Sequence, residues 1–332
     1  MRILKIIILI LVLIWLVWFL KFAKHYPRTG ELKTDPQTWG VTYSTKFAEE
    51  LGLDWQEAYL AIIDDLQVKQ IRLPIYWDQI EKHEGEFDFA KYDYILNEGS
   101  KRNVQFIANI GWRLPRWPEC HAPRWLAGDE VETIKARTLS MLKIVVDRYK
   151  HRPEIISWQV ENEPLVDWFG ICPKSDKDFL QKEVNLVKSL DERPIIVSAS
   201  GELSLWGEEA KTADILATTV YRVVWNSWFK YFRYPIPAWF YQYKARRVEK
   251  FGENMIISEL QAEPWVPNGT LADLSPGNQA KSFDLKQLEA NLKFAQKIGF
   301  SKNYLWGAEW WYLKKQIGDD SYWKLVKKLF VE

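Results

Sequence analysis

The chain has 332 residues, a formal net charge of +1 with 27% charged residues, and an aromatic content of 15% that includes 19 Trp. That charge balance excludes the electrostatic footprint of a nucleic-acid or acidic-polymer binder, and 2 cysteines are too few for a disulfide scaffold. The length exceeds a typical domain but suits an α/β barrel of about 250 residues or more, and the tryptophans fit either a core or the flat platforms on which sugar rings stack.

The chain opens on an apolar run from Ile6 to Leu20, extended by Ile3 and Leu4 around Lys5. The run is close to the ~17–25 residues that cross a bilayer core. A cleaved signal peptide would need a small-residue cleavage site after it, and Lys21, Phe22 and Lys24 stand there instead. The expectation is an uncleaved, single-pass anchor over residues 1–25, followed by a linker over 26–37. Arg2 and Lys5 precede the run and Lys21, Lys24 and Arg28 follow it, so the positive-inside rule barely sets the orientation.

From Thr38 to the C-terminus, short apolar strands alternate with amphipathic stretches. The strand candidates are "TWGVTYS", "IRLPIYW", "VQFIANIG", "ISWQVENEP", "PIIVSASG", "DILATTVY", "NMIISEL" and "KNYLWGAEW". Helical spacing predicts helices over 54–70, 89–102, 131–150, 177–190, 238–251 and 283–298, with "SYWKLVKKLF" closing the chain; the helix between the fifth and sixth strands looks short or missing. Eight strands in this alternation predict a (β/α)8 barrel over residues 38–332. An open doubly wound sheet would carry a Gly-rich phosphate turn after an early strand, and none is present.

A barrel of this kind builds its site from the C-terminal strand ends. There the fourth strand carries Glu161 and Glu163, and the seventh carries Glu259, with Glu263 four residues on. Strand alternation would set Gln159, Glu161 and Glu163 on one side and Asn162 on the other. Two carboxylates converging from separate strands are what glycoside hydrolysis requires, one to protonate the leaving oxygen and one to attack or stabilise the anomeric carbon.

"WQVENEP", "IISEL" and the run "IRLPIYWDQIEKHEGEFDFAKYD", in that order, resemble the clan A glycoside hydrolases. These are retaining (β/α)8 glycosidases that include cellulase-like family 5 enzymes and several β-galactosidase and xylanase families. The resemblance implies Glu163 as acid/base, Glu259 as nucleophile and Asn162 as the partner of the substrate 2-hydroxyl. It implies Arg72 beneath the nucleophile, Tyr221 donating to it, and Trp306 or Trp310 as the floor under the sugar. Where several of these families have a His after the third strand, Asn109 or Trp112 would serve, or His121 from the following loop. Trp77, Trp112 and Trp265 complete the expected aromatic lining. Glu161 would be an ion-pair partner in the rim or a sugar ligand.

No cofactor or metal is implied, because the chain has only 4 His and none in a metal-ligand pattern. The expected partners are a β-glycan or β-glycoside substrate and, through the N-terminal helix, a membrane. The alternatives are a transglycosylase, which differs only in the acceptor, and a non-catalytic glycan-binding barrel, which would have lost one of the two acids. Cys120 and Cys172 fall on the adjacent loops after the third and fourth strands. A bridge between them would place the catalytic domain outside the cytoplasm, whereas long loops could equally leave them unpaired.

Overall fold

The computed structural model describes residues 37–250, 254–267 and 269–331. The predicted anchor and all but the last residue of the predicted linker lie outside these residues. Among the described residues, no helix is long and apolar enough to cross a membrane.

The strands are β1 (Thr38–Thr42), β2 (Gln70–Pro74), β3 (Gln105–Ile110), β4 (Ile155–Val160), β5 (Ile195–Ala199), β6 (Ile215–Val220), β7 (Val223–Asn226), β8 (Lys230–Arg233), β9 (Met255–Gln261) and β10 (Lys302–Trp306). β1 to β6 pair in sequence, β6 pairs with β9, β9 with β10, and β10 closes onto β1, so eight strands form a closed barrel. Every pairing in it is parallel. Parallel strands are covered on both faces, which is why runs such as "IISWQV" are apolar with little alternation. The helices Trp55–Asp64, Ala90–Ser100, Val131–Tyr149, Lys177–Leu190, Ala238–Arg247 and Leu285–Ile298 supply the outer layer. A separate cluster of Ile107, Ile196, Ala217, Ile256 and Tyr304 is walled off from the main core by the strands and fills the barrel interior.

Several boundaries differ from expectation for local reasons. The helix opened by the Asp54 cap stops at Asp64 rather than running on to residue 70, because Gln67 takes a left-handed φ of 60°. The connection between β5 and β6 is indeed short on helix, with only Gly207–Thr212. An antiparallel hairpin, β7–β8, which the sequence reading does not include, stands between β6 and the helix Ala238–Arg247.

The eighth barrel strand ends at Trp306, and this corrects the placement of Trp310. Gly307 sits at φ 138°, where a Cβ would lie 2.8 Å from the Ala262 carbonyl oxygen, so the chain turns and a helix begins at Ala308. Trp310 is therefore helical, buried against Phe283 and Tyr322, and does not share a strand face with Trp306.

Candidate active site

Arg72, fully buried, organises the C-terminal end of the barrel. Its guanidinium donates from Nε to Gln159 Oε1 (2.7 Å), from Nη1 to Glu259 Oε1 (2.8 Å), and from Nη2 to Asn162 Oδ1 (2.7 Å) and Asn109 Oδ1 (3.2 Å). The other oxygen of Glu259, Oε2, accepts from the Tyr221 hydroxyl at 2.8 Å. Both oxygens of this buried carboxylate are thus held by donors, one of them a cation.

Glu163 lies in a different environment. Its backbone N–H donates to Ser198 Oγ (2.9 Å), and its carboxyl receives only a 3.4 Å contact from Thr219 Oγ1. Thr219 lies opposite Glu259 in the β6–β9 register, so the partner of Glu163 stands on the strand beside the other acid. Burial first, and the negative charge of Glu259 second, push the Glu163 carboxyl up to about 8. Glu163 is therefore poised to give a proton at neutral pH, while Glu259 is held by Arg72 and Tyr221.

The strand alternation expected for "QVENEP" breaks at the strand end. β4 stops at Val160, and Glu161 and Glu163 take left-handed φ values of 60° and 44°. Gln159 and Asn162 consequently converge on Arg72, while Glu161 turns away from it. Glu161 is neither a rim ion pair nor a sugar ligand: its two oxygens accept the backbone N–H groups of Trp112 (2.6 Å) and Arg113 (2.5 Å). Gly111 permits this, since at φ 140° its Cβ would fall 2.3 Å from Glu161 Oε1. Burial pushes the Glu161 carboxyl up, and the neighbouring buried Glu183 is raised far above the carboxylate range, mainly by burial and then by Glu161.

The two acids open into a cleft of about 800 Å³. Trp265 and Trp306 line it, as expected, with Trp117, Trp168, Phe169, Trp225 and Tyr234. Trp265 meets Tyr221 edge-on at 5.4 Å. Trp306 has a neighbour the sequence does not suggest. The Arg116 guanidinium lies 3.8 Å from its ring centroid and 3.4 Å from that of Phe47, and Arg116 is paired with Glu263. Glu263 therefore lines the cleft as the partner of Arg116 rather than as a free acid.

The other candidates sit elsewhere. Trp77 is fully buried and donates to Glu81 (2.6 Å). Trp112 borders a separate small cavity beside Glu183 and the disulfide. Asn109 lies beneath the cleft, bridging Arg72 to the Gln159 and Glu161 carbonyls (3.2 and 3.3 Å). His121 is locked inside the β3 loop, with Nε2 near the Leu114 and Arg116 carbonyls and Nδ1 3.0 Å from Lys46 Nζ. Burial first and Lys46 second lower it to about 3, so it is neutral. These four residues do not face the cleft because each already packs against, or bonds to, its own loop or helix.

Residues that the sequence did not single out complete the cleft: Thr219, Glu119 and the rim tryptophans Trp117, Trp168 and Trp225, with Ser198 buried beneath. Cys120 and Cys172 are bonded, with Cα atoms 5.3 Å apart, tying the β3 loop to the β4 loop.

No known protein-family model matches the chain. The curated β-galactosidase BgaA of Clostridium cellulovorans is 21% identical over 167 residues, which is 44% of this chain and 25% of that relative. The match thus spans only a quarter of the relative's length. A β-galactosidase from Rahnella sp. R3 superposes with a TM-score of 0.57 at 13% identity, over 89% of this chain and 55% of that one. Xylanase 10B from Thermotoga petrophila RKU-1, in complex with xylobiose, gives 0.55 at 13% over 81% of each chain. The exo-β-1,4-mannosidase Op5Man5 from Opitutaceae bacterium strain TAV5 gives 0.53 at 14% over 81% of this chain and 51% of that one. These neighbours are clan A glycoside hydrolases, and the likeness establishes the shared (β/α)8 fold.

Proposed function

We propose that the protein is a glycoside hydrolase that cleaves β-linked O-glycosidic bonds with retention, with Glu259 as nucleophile and Glu163 as acid/base. The observation that carries this is the asymmetry of the two acids. Glu259 is held by Arg72 and Tyr221. Glu163, bonded only by Thr219, is pushed up to about 8. In the first step Glu163 protonates the leaving oxygen while Glu259 attacks the anomeric carbon, giving a covalent glycosyl-enzyme. In the second step Glu163, now a carboxylate beside a neutral ester, takes a proton from water, which displaces Glu259 and restores the β configuration. Asn162 reaches the substituent on the carbon next to the anomeric centre, and Trp265 and Trp306 offer ring surface to the sugar. The shared barrel of a galactosidase, a xylanase and a mannosidase supports β-glycosides as the class.

The N-terminal apolar run and the Cys120–Cys172 bond support a membrane-anchored enzyme whose barrel works in an oxidising compartment. Membrane fractionation of cells making the full chain, with protease added from outside, tests that placement. Hydrolysis of aryl β-glycosides by the full chain, with the anomer of the first product read by NMR, tests the activity. A β product supports retention, and an α product contradicts it.

A further inference from the structure

Among the further carboxyls that line the cleft, Glu119 stands beside Asn162, and the chemistry above does not use it. Glu119 lies on the β3 loop and is 4% exposed. Its Oε2 is 3.4 Å from Asn162 Nδ2, the only hydrogen bond of its carboxyl among the described residues. Burial first, and the charge of Glu259 second, push this carboxyl far above the usual range, with Glu163 adding to the effect.

Its position is held from several sides. Glu119 takes a left-handed φ of 75°, its N–H donates to the Arg116 carbonyl (2.8 Å), and its own carbonyl accepts from Leu114 (2.8 Å). The next residue is Cys120, bonded to Cys172. A non-glycine residue in the left-handed region is unfavourable unless its surroundings fix it, and such residues concentrate at functional sites. The Glu119 side chain also packs on Gly170, where an added Cβ would lie 2.8 Å from Glu119 Cβ.

The charge balance around it is incomplete. Glu119, Glu163 and Glu259 share one wall, and Arg72 bonds only Glu259 among them. Arg113, whose charge acts on Glu119, bonds backbone carbonyls of the β4 loop, Val166 and Phe169. Arg116 is committed to Glu263. A buried carboxyl without a cation carries a desolvation cost that a cationic ligand would relieve.

Geometry says which part of a sugar would meet it. Arg72 reaches Glu259 with Nη1 and Asn162 with Nη2, so Asn162 stands one guanidinium's width from the nucleophile. Asn162 Oδ1 is already occupied by Arg72 and Ser198 (3.0 Å), which leaves Nδ2 and the neighbouring Glu119 carboxyl. A sugar with its anomeric carbon at Glu259 presents the substituent of the adjoining carbon to these two groups.

We infer that Glu119 is a specificity-determining residue that selects a β-linked sugar carrying a free ammonium at C2, with the Glu119 carboxylate accepting from the ammonium. This rests on the assignment of Glu259 as the nucleophile. A bond between an ionised donor and an ionised acceptor in a buried site is stronger than one to a neutral hydroxyl. The preference over the hydroxyl sugar is therefore roughly tenfold or more.

The test compares aryl β-glucosaminide, aryl N-acetyl-β-glucosaminide and aryl β-glucoside as substrates of the full chain. Binding of glucosamine and of glucose is followed separately through the fluorescence of the cleft tryptophans. The expected result is that kcat/KM and affinity both favour the free amine by roughly tenfold or more, and that N-acetylation abolishes the preference. Glu119→Gln should bring the amine-to-hydroxyl ratio to about one, and Glu119→Asp should keep part of it. Absence of any amine preference in the unaltered chain, or its full retention in Glu119→Gln, would overturn the inference. If no glycoside is turned over but glucosamine still binds selectively and Glu119-dependently, the hydrolase assignment fails and the ligand assignment stands. Equal binding of the two sugars overturns the latter whatever the turnover.

Discussion

Arg72 Nη1 and Glu259 Oε1 form a 2.8 Å ion pair in which both side chains are almost completely shielded from solvent. The same guanidinium also serves Gln159, Asn162 and Asn109, so its loss takes a donor from four buried acceptors at once. Removing one partner of a buried ion pair costs about 3–5 kcal/mol, since the other charge is left uncompensated. Arg72→Met should lower unfolding stability by that amount in urea titration and abolish turnover. Arg72→Lys should recover stability only in part, because one ammonium cannot reproduce the planar fork. A stability change in Arg72→Met below about 1 kcal/mol would mean the network is not formed.

The raised Glu163 fixes the alkaline limb of the pH profile. Protonated below about 8, it can act as the acid; above that it is a carboxylate and cannot. For a glycoside with a poor leaving alcohol, kcat/KM should fall about tenfold per pH unit on passing upward through about 8. The limb should be absent from the residual activity of Glu163→Gln. A limb that survives the substitution would belong to another group.

Gly111 is the residue that lets Glu161 fold back on the β3 loop. Its φ of 140° and the 2.3 Å approach of Glu161 Oε1 both exclude a methyl group. Gly111→Ala should destabilise the protein by about 2–3 kcal/mol and displace the loop that carries Glu119. Chemical denaturation measures the first effect, and loss of the amine preference reads the second. A loss of less than about 0.5 kcal/mol would show that this turn does not depend on glycine.

The Cys120–Cys172 bond joins residues 52 apart in sequence. Closing a loop of that length in the unfolded chain stabilises the folded state by about 4 kcal/mol on chain-entropy grounds. Cys172→Ser should lose about 3–4 kcal/mol. Reductant should produce the same loss in the unaltered chain and none in the variant. Free thiols on both residues in the native protein would contradict the bond and remove its support for an oxidising compartment.

Much of this architecture was readable from residue order. Parallel strands buried on both faces leave apolar runs, so all eight barrel strands appear as such. Glu163 and Glu259 were identifiable as acids at the ends of apolar strands, and Arg72 and Tyr221 only through the clan A resemblance. Side-chain directions beyond a strand end were not readable. Glu161 and Glu163 adopt left-handed backbone angles that cancel the alternation, and Trp310 lies past Gly307 on a helix. Burial of single tryptophans depends on how loops fold over one another. Trp77 and Trp112 therefore fell to packing, while Trp117, Trp168 and Trp225 line the cleft. Nor does sequence order hint that Glu119 and Asn162, 43 residues apart, should meet.

The most direct test of the two-acid assignment is azide rescue of Glu259→Ala on an activated aryl β-glycoside, with the product anomer read by NMR. Removing the nucleophile opens the face opposite the leaving group, so azide should restore turnover and give an α-glycosyl azide. A β-glycosyl azide would make Glu259 the acid/base and reverse the roles, and no rescue by azide with activity intact would remove Glu259 from the chemistry altogether.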